Sequence, residues 1–189
     1  MSLARSESNY VSREEYRRWC DAQPTGRYER DEGEIVAMAP ERVAHVRMKG
    51  AVYRALYRAV AAVGVPCEVL SDGVTVETGD SDYEPDTTVN CGTPMADDDI
   101  AASNPVIVVE VLPPRTSGVD TGAKLAGYFR VPSIMHYLIV HPAKRSVIHH
   151  RRVADGIATR IVADGPVEMA PPGITIEVDE LYGVRPEQA

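Results

Sequence analysis

Val106-Ile107-Val108-Val109-Glu110-Val111-Leu112-Pro113-Pro114 opens with four consecutive β-branched residues. A near-continuous β-branched run reads as a strand covered on both faces, which places it inside a sheet flanked by helices. Glu110 ends the run that begins at Val106, and Val111-Leu112 follow it. A second acid, Asp86, ends Tyr83-Glu84-Pro85-Asp86 and leads into Thr87-Thr88-Val89, which reads as a neighbouring strand. A carboxylate in such a setting is costly to bury unless a cation lies beside it. One divalent ion would neutralise both acids, and hard oxygen ligands suit Mg²⁺ or Mn²⁺. The plainer alternative is that each acid marks a strand end near solvent.

Downstream lies Gly118-Val119-Asp120-Thr121-Gly122-Ala123-Lys124-Leu125-Ala126-Gly127-Tyr128-Phe129. Leu125, Tyr128 and Phe129 recur at helical spacing, so an amphipathic helix packed on the sheet is predicted. Asp120, Lys124 and Tyr128 follow one another at four-residue steps and share one side of it. Lys124 then either pairs with Asp120 at the surface or reaches toward the two carboxylates.

Ser12 with Glu15 is a capping-box signature that opens a first helix running to about Asp21. Asp31-Glu32-Gly33 supplies the turn of a hairpin whose second strand is Glu34-Ile35-Val36-Ala37-Met38. A long helix is predicted from Val43 to about Val63, with Gly64 as its cap. Short strands follow at 67–70 and 73–76, and Asp97-Asp98-Asp99 reads as a solvated acidic loop. Strands are predicted at 136–140, 146–151, 159–162 and 173–178, before a short Asp179-Glu180-Leu181-Tyr182 segment. The mixed order is α/β (α+β) with a central mixed sheet flanked by helices. With no repeat and no linker, residues 1–189 read as one domain, with a core at about 28–142 and C-terminal strands to 182.

The net charge of −8 argues against a broadly basic nucleic-acid binder. A local cluster of Arg42, Arg47, Lys49, Arg54 and Arg58 offsets it, as a phosphate-binding patch or as a solvated helix face. Cys20, Cys67 and Cys91 show no metal-like spacing, so reduced thiols are expected. No apolar run is long enough to span a bilayer and the start does not read as a signal peptide, so a cytoplasmic protein without membrane contact is expected. His149 and His150 are adjacent, so on a strand they face opposite sides.

The order Pro85-Asp86, then Val108-Val109-Glu110-Val111-Leu112 with Pro114 and Thr116, then Asp120, Lys124 and Tyr128 resembles the Uma-type family of bacterial restriction-endonuclease-like proteins. That family belongs to the PD-(D/E)XK nuclease superfamily. Gly33-Glu34-Ile35-Val36-Ala37-Met38-Ala39-Pro40 and His45 resemble its upstream elements, so the likeness covers roughly Tyr28 to Pro142. Pro113 and Arg115 replace two serines of the family motif, and His136, Leu138 and His141 stand where Glu, Trp and Asp are usual. Leu112 occupies the position of the superfamily lysine, whose migrated equivalent in this family is Lys124.

The resemblance implies a metal-dependent endonuclease hydrolysing DNA phosphodiester bonds. Asp86, Glu110 and the Val111 carbonyl would hold Mg²⁺ or Mn²⁺, and Lys124 would orient water or stabilise charge on the phosphate. Glu34 is the candidate third acid, or else a surface residue of the hairpin. His45, Arg42 and Arg47 are candidate substrate contacts, although a histidine at a helix start also serves as a cap or packing residue. DNA is the expected partner, and cutting both strands of a duplex favours a homodimer. Two alternatives stay open: a catalytically weak nucleic-acid-binding or partner-interaction module on the same fold, and a hydrolase of small phosphate esters.

Overall fold

Apolar runs in the middle of the chain assemble a six-stranded sheet around the predicted buried strand. The computed structural model describes residues 10–113 and 121–182; Pro114, Arg115, Thr116 and Asp120 lie outside the described residues. The sheet is built from β3 (Cys67–Ser71), β6 (Thr87–Cys91), β7 (Pro105–Val111), β8 (His136–His141), β9 (Ser146–Val153) and β10 (Gly156–Val162), in the order β10-β9-β8-β7-β6-β3. Its pairs are antiparallel except β7 with β8, which run parallel. A parallel pair needs a crossover, and α3 (Thr121–Tyr128) lies in that connection.

Strand β7 is covered on both faces, and its alternation divides the core. Ile107, Val109 and Val111 pack with Val52, Leu56 and Val60 of α2 (Val43–Val63). Val108 packs on the other side with Tyr128 of α3 and with Tyr83. Glu110 therefore projects toward the α3 side. The long helix ends on Gly64, whose φ of 70° suits a residue without a Cβ. The hairpin β11 (Pro166–Met169) with β12 (Ile174–Glu177) and helix α4 (Val178–Tyr182) close the α2 side of the core.

A second sheet, ordered β2-β1-β5-β4, joins β1 (Tyr28–Asp31), β2 (Glu34–Ala37), β4 (Val76–Glu77) and β5 (Asp82–Tyr83). The β1–β2 turn takes φ of 47° at Glu32 and 81° at Gly33, the left-handed pair that a two-residue hairpin needs. Helix α1 (Arg13–Asp21) starts with the predicted reciprocal cap, Ser12 bonding Glu15 through both backbone and side chain. Arg30 is almost wholly buried and donates to Asp82 at 2.5 Å, with Arg13 on the other oxygen of that carboxylate.

Two sequence expectations change. Asp86, expected on the strand next to the Glu110 strand, sits just before it: Tyr83 pairs in the small sheet, and the chain crosses through Glu84, Pro85 and Asp86 before β6 begins at Thr87. Cys67 and Cys91 are not free thiols but a disulfide, because the β3–β6 register sets them directly opposite one another with Cα atoms 3.9 Å apart. Cys20 remains free. Among the described residues, no helix is long and apolar enough to cross a membrane.

Candidate functional site

At the C-terminal end of β7, the two sheets, the start of α2 and helix α3 enclose a cavity of about 410 Å³. Glu110 and Lys124 enter from the α3 side. Glu110 Oε1 accepts from the Tyr128 hydroxyl at 2.6 Å and from Lys124 Nζ at 3.0 Å. The same ammonium reaches Glu29 Oε1 of β1 at 3.0 Å and lies 5.1 Å above the centre of the Tyr83 ring. Helix α3 comes this close because Gly127 has no side chain; a Cβ there would stand 2.8 Å from Tyr83 Cε2.

Burial raises the pKa of Glu110, with Asp86 and Glu29 adding to the rise and Lys124 opposing it. Burial also works against the charge on Lys124, but Glu110 and Glu29 outweigh it and hold the ammonium above its ordinary pKa.

Asp86 sits on the crossing between the sheets and turns toward the end of β7. Its Oδ2 accepts from the Val111 backbone N–H at 2.6 Å, and its Oδ1 lies 2.9 Å from Lys49 Nζ. Lys49 also reaches Glu41 at 2.6 Å and Asp72 at 2.9 Å, so one buried ammonium joins three carboxylates. Burial opposes that charge too, yet the bonds to the three acids raise the Lys49 pKa. The carboxylate oxygens of Glu41, Asp72 and Asp86 all lie within 4.8 Å of one another. His45 stands above this group, with Nε2 2.7 Å from the Val111 carbonyl oxygen and 3.7 Å from Asp86 Oδ2.

The structure thus brings Asp86, Glu110, Lys124, His45, Arg42 and the end of β7 to one cavity. Glu34 is not part of it. It is exposed at the turn end of β2, opposite Asp31, and at about 3.3 Å per residue it lies some 13 Å along the strand from Met38, which does line the cavity. The hairpin's contribution is Glu29 instead, since Arg30 points to the buried Asp82 and its neighbour turns to the opposite face. Arg47 is also elsewhere: five residues beyond Arg42 it is rotated by about 140°, onto the outer side of α2.

Lys49 belongs to the predicted basic cluster but points inward. The signal was present in its spacing, because Lys49, Val52, Leu56 and Val60 fall on one stripe of the helix and all are buried. Glu29 and Asp72 carry no comparable mark.

Apart from His45, the ligating groups around the cavity are oxygens: the Asp86 and Glu110 carboxylates and the Val111 carbonyl, with Glu29, Glu41 and Asp72 nearby. That chemistry fits a hard divalent cation. An oxygen of Asp86 and the Val111 carbonyl both lie beside His45 Nε2, at 3.7 and 2.7 Å. The described bonds to Glu110 both fall on Oε1.

The family described as "Uma2: Putative restriction endonuclease" matches residues 13–179. The chain belongs to the Uma2 family. A crystal structure from Anabaena variabilis, described as a "putative nuclease", superposes with a TM-score of 0.68 over 87% of this chain and 94% of that one, at 16% identity. It shares the fold. Two uncharacterized proteins of Synechocystis are similar in sequence. One, sll1609, is 26% identical over 150 residues, which cover 78% of this chain and 81% of its own length. The other, slr1290, is 27% identical over 124 residues, covering 59% and 65%. The restriction-endonuclease-like likeness read from the motifs agrees with the Uma2 match.

Proposed function

We propose that this Uma2 protein is an endonuclease that hydrolyses phosphodiester bonds of DNA with the help of Mg²⁺ or Mn²⁺. The observation that supports it most is the position of Lys124: its ammonium lies at Glu110 and Glu29, inside the cavity that Asp86 also lines. Asp86, Glu110 and the Val111 carbonyl would hold the cation. Such an ion supplies Lewis acidity toward a phosphoryl group and its attacking water.

The protein's own groups have separable tasks. Lys124 is held charged, which suits stabilising negative charge that grows on the phosphate and does not suit a general base. Its side chain is about one quarter exposed, so a substrate oxygen can reach it. Tyr128 fixes the orientation of Glu110 by donating to Oε1. Arg42, exposed at the rim, would meet a phosphate as substrate enters. Two copies related by a two-fold axis would cut both strands of a duplex.

A second reading has one observation in its favour. Both oxygens of Asp86 are already engaged, one by Lys49 and one by the Val111 N–H. A carboxylate so satisfied suits a nucleic-acid-binding or partner-interaction module with weak catalysis.

Incubation with supercoiled plasmid separates the two. Nicking with Mg²⁺ or Mn²⁺ that disappears with chelator and in Asp86→Asn supports the nuclease. Intact plasmid with either ion, under conditions where the protein binds DNA, supports the module.

A further inference from the structure

From Arg42 to Cys67 the chain contains no Asp or Glu, although it carries 28 acidic residues elsewhere. This segment is α2 with its flanks. Its outward side holds Arg47, Arg54, Tyr57 and Arg58, all exposed, and Arg42 at its start leads into the cavity. Among the described residues none of these four arginines makes an ion pair. The arginines around the small sheet, by contrast, are committed: Arg13 and Arg30 to Asp82, Arg17 to Glu77, and Arg27 to Asp72 and Glu84. An acidic protein with acids to spare has left this row of guanidinium groups, clustered on one helix, without acidic partners among the described residues.

The row is ordered. Tyr53-Arg54-Ala55-Leu56-Tyr57-Arg58 repeats Tyr-Arg at a four-residue step, so each residue stands above its counterpart on the helix. The two tyrosine rings stack at 5.9 Å and 23°, and Tyr57 is 56% exposed. Gly50 keeps the surface between Arg47 and Arg54 low, since even a Cβ there would come within 3.5 Å of Arg54 Nη1. A shallow groove therefore runs along the helix, lined by Val46, Arg47, Gly50 and Arg54, and Glu41 lines both this groove and the cavity.

We infer that the outward face of α2 is a track for the phosphate backbone of duplex DNA, and that it delivers the strand to the cavity. The inference rests on the nuclease reading and names where that substrate lies. From Arg42 to Arg58 the helix rises about 24 Å, the length of roughly seven base-pair steps. The match is between an uncompensated cationic row and a polyanion, so binding is independent of base sequence and depends on salt. The tyrosine hydroxyls add neutral donors to phosphate or sugar oxygens.

The test is fluorescence anisotropy with two labelled duplexes of unrelated sequence, over a range of salt, with chelator present so that nothing is cut. Arg54→Gln with Arg58→Gln is expected to weaken both duplexes by on the order of tenfold and to make the log–log salt dependence shallower by about 1.8. Arg160→Gln, an exposed arginine on β10, is the matched control and should bind as the parent does. Because binding is read without metal, loss in the double variant supports the track even if no cleavage is ever found. Equal affinity and equal salt slope overturn it even if cleavage is robust. Sedimentation runs in parallel: a dimer that dissociates in Val46→Glu assigns this face to contact between copies and overturns the track as well.

Discussion

Two groups of buried ionisable side chains in this molecule are treated in opposite ways. Around the cavity, Lys49 and Lys124 stay charged; at the other end of the central sheet, His136 and His149 stay neutral. Burial acts against positive charge in both places. At the cavity it is outweighed, because Glu41, Asp72 and Asp86 surround one lysine and Glu29 and Glu110 flank the other. The histidines meet no acid. His136 Nδ1 and His149 Nε2 are 2.8 Å apart, so one ring donates to the other, and burial pushes both pKa values down to about 4. The backbone at Pro171 and Ala170 opposes the fall at His136 and Arg151 adds to it, while His136, Arg151, Arg160 and His150 all lower His149 further. The contrast teaches that partners, not depth, decide which buried group keeps its charge.

The largest expected effect tests whether Lys49 is a structural keystone. Lys49→Met leaves Asp86 and its two neighbours without their shared cation, and removing one member of a buried pair costs about 3–5 kcal/mol. Denaturant unfolding at neutral pH measures it; a loss below about 1 kcal/mol would mean the three acids relax into solvent and do not depend on Lys49.

Lys124 should behave differently. Lys124→Met is expected to keep the fold and lower the cleavage rate by about 10²–10³, the range for removing one group that stabilises transition-state charge. Lys124→Arg should not fully rescue, because a planar fork fills the space differently from a compact ammonium. Full activity in Lys124→Met would remove this residue from the chemistry.

Acid acts on the buried histidines. With folded pKa values near 4 against about 6.5 in the unfolded chain, the histidines stabilise the protein fully above 6.5 and lose that contribution as pH falls toward 4. Each fully titrated ring accounts for up to about 3 kcal/mol. His149→Gln should flatten the slope between pH 6.5 and 4. Glu110 works in the reverse sense: with its pKa raised, its contribution is present below about 4.5 and lost as pH rises through the folded value. A stability curve unchanged from pH 7 to 4.5 would show that the rings accept protons without strain.

Tyr128→Phe should have the smallest consequence, about 1 kcal/mol of stability, since it removes one hydrogen bond to Glu110 and keeps the buried ring. A drop in rate larger than that of Lys124→Met would instead make the hydroxyl the more important partner of Glu110.

Local features of the fold could be read from the sequence because their cause is local. The Ser12–Glu15 cap, the Glu32-Gly33 turn, the Val43–Val63 helix and the buried β7 strand each follow from spacing within a few residues. Asp86, Glu110 and Lys124 stood out for the same reason, as charges attached to apolar patterns. Glu29 and Asp72 did not, since only the fold turns Glu29 toward the cavity and Asp72 toward Lys49. Glu34 shows the converse: a motif match selected it, while its place at the hairpin turn carries it away. The Cys67–Cys91 bridge depends on the β3–β6 register, which linear spacing does not reveal.

Gly127 has a consequence of its own. A hydrogen atom where any other residue carries carbon lets α3 rest on the Tyr83 ring, and three residues earlier on the same helix stands Lys124. The reach of the ammonium is therefore gauged by a missing methyl, and the small sheet acts as the stop against which the helix is set. Geometry at the cavity can thus be adjusted from a position that bears no charge and touches no carboxylate.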